Sequence, residues 1–184
     1  MRKFLVVLGV VLLSSMVASA AGGLGVFGSY WDTKDADSGW GAGAKFQLEV
    51  IPNICVEARG TYFPDFGKSS GDDPKLNVIP AEADAIIKFP ISDMLVPYVG
   101  GGAGYYMFDI DNNDSAVDIS VDDEFGFFAL AGVEVGLSKQ VSLFAEGKYT
   151  WLDVTAKASG GGMSESEDAS MNGFGGNAGL MLKW

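Results

Sequence analysis

The chain has 184 residues, 48% of them hydrophobic, with 26 Gly, one Cys and no His; 12 Lys and Arg stand against 24 Asp and Glu, for a net charge of −12. That length makes one domain, and so acidic a chain argues against nucleic acid as a partner, because phosphates must be neutralised by clustered cations. Without His there is no Ser-His or Cys-His nucleophile pair, no imidazole base and no imidazole-held metal, and a single Cys closes neither an internal disulfide nor a thiolate zinc cage. The composition points away from an enzyme.

Residues 1–20 read as a cleaved signal peptide. Arg2 and Lys3 form the charged start, Phe4 to Leu13 the apolar run, and Ala18-Ser19-Ala20 a small-residue cleavage site. A retained membrane anchor is the alternative, but the run falls short of the roughly 20 apolar residues a spanning helix requires. Residues 21–184 are then the mature domain, destined for a compartment beyond the inner membrane.

Past residue 20 no stretch repeats apolar residues at helical spacing, while six segments alternate strictly, which predicts strands with one apolar face. In chain order the apolar rows begin with Trp40, Ala42, Ala44, Phe46, Leu48 and Val50, then Ile54, Val56, Ala58, Gly60 and Tyr62. Next come Ile79, Ala81, Ala83, Ala85, Ile87 and Phe89, followed by Phe125, Phe127, Ala129, Ala131, Val133, Val135 and Leu137. The last two rows are Val141, Leu143, Ala145, Gly147, Tyr149 and Trp151, and Phe174, Gly176, Ala178, Leu180, Leu182 and Trp184. Two weaker segments, 23–31 and the Gly-rich 96–108, complete eight strands, and in neither does the pattern assign the faces. Connections alternate long and short. An eight-stranded antiparallel up-and-down transmembrane barrel satisfies both the alternation and the loop lengths.

A soluble barrel would also alternate, with its apolar face inward; charge placement separates the two. The polar rows carry Glu49, Glu57, Glu82, Asp84, Glu134 and Glu146 against Lys45, Arg59, Lys88, Lys148 and Lys183, a near balance, whereas the long loops hold most of the remaining acids against Lys34, Lys68, Lys75 and Lys157. Balance is what a confined interior demands, because an unpaired buried ion is costly. These eleven residues are therefore the expected interior ion network. A three-residue turn at Pro52-Asn53-Ile54 would set Glu49 opposite Glu57 and Gln47 opposite Arg59. Aromatic residues fall in two bands, Trp31, Trp40, Tyr62 and Trp151 near the long loops and Phe89, Tyr98 and Trp184 near the short turns, as in the girdles at headgroup level.

With the signal segment, the eight strands, the run Pro97-Tyr98-Val99-Gly100-Gly101-Gly102-Ala103-Gly104-Tyr105-Tyr106 and the terminal Ala178-x-Leu180-x-Leu182-x-Trp184, the chain resembles the small eight-stranded outer-membrane barrels of the OmpA and opacity-protein type. The resemblance implies a bacterial outer-membrane location and contact with outer-membrane lipid or lipopolysaccharide. It also implies that Ala178, Leu180, Leu182 and Trp184 are an insertion signal read by the outer-membrane insertion machinery. Trp184 departs from the commoner terminal Phe.

Other chemistry finds little support. The run Asp109-Ile110-Asp111-Asn112-Asn113-Asp114 lacks the Gly and the Glu of a calcium loop, Asp114 and Ser120 standing in their places; the acidic loops remain candidates for weak divalent-cation binding. Gly160-Gly161-Gly162 has no phosphate-binding context and reads as a mobile surface loop. Glu82 with Asp84 is expected to be lumen filling, not an acid-base pair, because eight strands leave room only for side chains. Cys55 is expected to be an interior thiol. No catalytic residue, cofactor or metal ligand is assigned. The expected role is structural or interactive, envelope integrity or adhesion, with the barrel as anchor for acidic loops. The alternative, OmpW-like passage of small apolar solutes, is disfavoured by a lumen that reads as ionic.

Overall fold

The computed structural model describes residues 21–34, 38–66, 75–111, 118–121, 123–160 and 163–184. The expected signal peptide, residues 1–20, lies outside them, as do Asp114 and Gly161-Gly162. The alternating segments form β1 (Gly22–Thr33), β2 (Gly39–Ile51), β3 (Ile54–Phe66), β4 (Lys75–Lys88) and β5 (Leu95–Asp111). These are followed by β6 (Asp118–Val121), β7 (Glu124–Gly136), β8 (Val141–Trp151), β9 (Asp153–Gly160), β10 (Met163–Ser170) and β11 (Gly173–Lys183). Eight of them close into an antiparallel barrel in the order β1-β11-β8-β7-β5-β4-β3-β2. This is the all-β, eight-stranded up-and-down fold that the alternation predicts. Closure leaves no free edge, the condition for a sheet surrounded by lipid; at the seam Trp184 N–H donates to Gly22 O at 3.1 Å and Gly22 N–H to Trp184 O at 3.3 Å.

The apolar rows face outward. Phe125, Phe127, Phe174, Leu182, Leu180 and Val56 are exposed, while Lys45, Glu57, Arg59 and Glu146 are buried inside. The two glycine-rich strands now have faces: Leu24, Val26 and Tyr30 against interior Phe27, Ser29 and Trp31 in β1, and Val99, Ala103 and Tyr105 against interior Tyr98, Gly104 and Tyr106 in β5. Two members of the expected aromatic bands therefore move. Trp31 and Tyr98, each 3% exposed, point into the lumen; a ring near a strand end fits either face, and in these strands glycine removed the alternation that would have assigned it. Trp40, Tyr62, Trp151, Phe89 and Trp184 do face outward.

The β2–β3 connection is tighter than expected. Ile51 pairs with Ile54 across a two-residue turn in which Asn53 has φ 66°, the left-handed region that Asn tolerates better than most residues. A register shift between Glu49 and Ile51 then sets Glu49 opposite Cys55, Gln47 opposite Glu57 and Lys45 opposite Arg59, not the pairs expected from a three-residue turn.

Outside the barrel, two segments read from sequence as loops are partly strands. β9 and β10 pair from Asp153↔Ser170 to Gly160↔Met163, and β6 adds to β9, giving a three-stranded sheet in the order β10-β9-β6. β10 carries no apolar alternation, and that of β9 rests on Val154, Ala156 and Ala158 and that of β6 on Ile119 and Val121 alone, too short and weak to stand out within polar, glycine-containing loops.

Candidate functional site: a lumen of two halves

Lumen contents change with height. Near the short turns, Glu134 accepts from Lys183 Nζ at 2.5 Å and from Lys88 Nζ at 3.1 Å, and Lys88 Nζ also donates to Gln47 Oε1 at 2.8 Å. Above this lies the centre of the network. The Arg59 guanidinium bonds Glu146 Oε1, reaches Glu57 Oε2 at 2.5 Å and stands 3.0 Å from Asp84 Oδ2. Among the described residues Asp84 is held by charge alone, since neither of its buried oxygens accepts a hydrogen bond from them. Lys45 Nζ stands 3.3 Å from both Glu57 and Glu146, and 3.9 Å above the Phe144 ring. Tyr98 OH and Asn177 Nδ2 complete Glu146 at 2.9 Å and 2.8 Å. One level higher, Glu82 accepts from Lys148 Nζ at 2.6 Å and 2.9 Å and from Tyr106 OH at 2.7 Å.

Ten of the eleven expected network residues thus meet inside. Glu49 does not: it is exposed and accepts the Asn53 backbone N–H at 3.0 Å, because the register shift beside the turn releases it from the strand's inner row. Its departure leaves Glu57, Glu82, Asp84, Glu134 and Glu146 against Lys45, Arg59, Lys88, Lys148 and Lys183, a neutral set. Cys55 is interior, packed with Ile86, Tyr98, Phe128 and Leu130. Among the described residues no group of His, Cys, Asp or Glu is arranged to hold a metal ion.

Glycine makes room for one of these contacts. A Cβ built on Gly132 would fall 2.5 Å from Tyr98 Cζ and 2.6 Å from its hydroxyl, so a larger residue must push the ring off Glu146. Gly132→Ala should destabilise the barrel by about 1–3 kcal/mol through overpacking and the lost hydrogen bond, read from urea unfolding in lipid vesicles. Gly136→Ala, whose nearest neighbour would be the Asp93 carbonyl at 3.4 Å, should be close to neutral.

The other half of the lumen, toward the long connections, is apolar. Trp31, Phe63, Phe66, Val78, Tyr106, Leu152, Val154 and Met171 form one buried cluster, with Leu76 and Phe108 packed against it. This corrects the expectation of an ionic lumen, which holds only on the short-turn side. Within the cluster Trp31 stacks at ring-centroid distances of 5.3 Å from Phe66, 5.8 Å from Tyr106 and 5.9 Å from Phe63. Among the described residues its buried indole Nε1 has no acceptor, a condition that costs about 1–3 kcal/mol.

The wall beside this cluster is interrupted. β3 and β4 pair without a break from Ile54↔Ile87 to Gly60↔Ala81, then only at Phe63↔Val78 and Phe66↔Leu76, with a register shift between those two. β4 and β5, by contrast, pair continuously from Lys75↔Asp111 to Lys88↔Tyr98. Pro64 and Pro80, in the interrupted stretch, have no N–H to give to a ladder. On the outer face Tyr62 OH donates to Asn77 Oδ1 at 3.4 Å across the same seam.

A family model described as outer membrane protein beta-barrel domain matches residues 4–181. The chain belongs to that family. It is therefore a protein of the bacterial outer membrane, and the short turns face the periplasm while the long connections face outward. Among solved structures it is similar to OprG from Pseudomonas aeruginosa, with a TM-score of 0.70 and 17% identity over 90% of this chain and 97% of that one. Neisserial surface protein A gives 0.64 and 17% over 89% and 99%. The outer membrane protein W of E. coli gives 0.57 and 18% over 90% and 100%. At these identities the likeness is one of fold. A search of curated proteins found no match.

Proposed function

We propose that the protein is a non-enzymatic outer-membrane barrel that admits small apolar molecules from outside into the upper half of its lumen and releases them sideways between β3 and β4. The observation that carries this reading is the division of the lumen. An apolar upper half adjoins an interrupted seam and stands on a paired ionic floor that gives neither water nor a greasy solute a way straight down. Ions in that floor are worth more to one another than to a passing solute.

A disulfide across the seam tests it. Phe63↔Val78 and Gly60↔Ala81 bracket Tyr62 and Ile79, so the double variant Tyr62→Cys, Ile79→Cys can be oxidised to close the gap. Uptake of an apolar fluorophore by cells carrying the oxidised variant should fall at least about fivefold and recover on reduction, while the parent ignores the oxidant. Uptake equal in both redox states removes the lateral route.

The three-stranded sheet separate from the barrel favours a second reading, surface contact or adhesion with the barrel as anchor, because its β10 carries Glu165, Glu167 and Asp168. Replacing residues 156–167 by a short turn, which keeps Val154 of the apolar cluster in place, should then abolish adhesion and leave uptake unchanged. The outward row Ala178, Leu180, Leu182 and Trp184 fits the proposed insertion signal, since it is presented at the barrel surface.

A further inference from the structure

The uptake reading leaves open which apolar molecules are taken, and the unpaired indole of Trp31 bears on that choice. Trp31 is 3% exposed and lies in the upper lumen against Phe63 and Phe66, the two β3 residues whose pairing with β4 is irregular. Among the described residues its Nε1 is a donor without an acceptor, in an enclosure lined mainly by apolar side chains. The nearby Tyr106 hydroxyl, by contrast, is committed to Glu82. A pure hydrocarbon entering here leaves the indole donor unsatisfied, whereas a molecule with one oxygen acceptor on an apolar body satisfies it and fills the same space.

We propose that Trp31 Nε1 is the donor that selects, among apolar solutes, those carrying a carbonyl or ether oxygen. The inference rests on the uptake reading and names the class of solute it serves. The ring is a specificity determinant: the aromatic neighbours hold its plane, and the solute competes with nothing for its N–H.

The test compares methyl nonanoate with dodecane, equal in non-hydrogen atoms, on the full chain in nanodiscs. The indole resonance of Trp31, identified by its absence in Trp31→Phe, should move downfield with the ester and stay in place with the alkane. The ester should bind about tenfold more tightly than the alkane in the parent, and that preference should vanish in Trp31→Phe, a change that keeps the aromatic packing. If both molecules bind the parent equally, or the preference persists in Trp31→Phe, the indole is not the selecting donor although the lumen still takes apolar solutes. Should neither perturb any resonance of the upper lumen, the uptake reading fails and the selection with it.

Discussion

Arg59→Met is expected to lower the unfolding free energy by about 3–5 kcal/mol, the cost of leaving buried charge without its counterion. Its guanidinium faces Glu57, Asp84 and Glu146, and both it and its partners have no exposed side-chain surface. Methionine fills the stem's volume but leaves three carboxylates with Lys45 as the remaining nearby cation. Lysine is no substitute, since one ammonium cannot serve three directions as a planar fork does. Adding Glu146→Gln to Arg59→Met removes one of the stranded charges and should recover part of the loss. Urea titration in lipid vesicles measures all of these variants, and a loss below about 1 kcal/mol for Arg59→Met, the scale of an exposed pair, would mean the network is solvated.

Ala83→Arg should cost about 2–4 kcal/mol and reduce insertion, because a cation on the outer face at mid-height meets acyl chains. Ala83 is exposed, opposite Ala58 on one side and Ala103 on the other, far from either rim. Asp153→Arg, at an exposed position beyond the end of β8, provides the matching change in water and should be tolerated. The measurement is the fraction of protein folded into vesicles, followed by heat-dependent gel mobility. Equal yields for the two variants would place Ala83 in an aqueous setting and contradict the facing of the barrel.

The barrel was legible wherever apolar and polar residues alternate, as in Ala42-Gly43-Ala44-Lys45-Phe46-Gln47, since that period alone fixes which side chains share a face. Legibility failed where glycine replaces the alternation, so that Trp31 and Tyr98 read as girdle residues while pointing inward. It failed again at Glu49, where one irregular residue beside a turn exchanges inside for outside. The ionic floor could be read because opposite charges recur at strand period. The apolar upper lumen could not: Phe63, Val78 and Leu152 sit where both faces of the wall are greasy, and a pattern built on contrast has nothing to detect. The interrupted seam had a sequence trace in Pro64 and Pro80, whose meaning depends on their lying on neighbouring strands.

The distribution of partners around Arg59 also governs how the molecule can be made. Arg59 belongs to β3, while Glu146 is 87 residues later in β8, and Lys45 of β2 depends on the same acid. A ribbon holding only the first four barrel strands would carry Lys45, Arg59, Glu57, Glu82 and Asp84 into hydrocarbon before the neutralising half arrived, at prohibitive expense. Curling into a cylinder must therefore accompany entry into the bilayer, and stalled half-cylinders should be rejected into the periplasm instead of accumulating in the membrane.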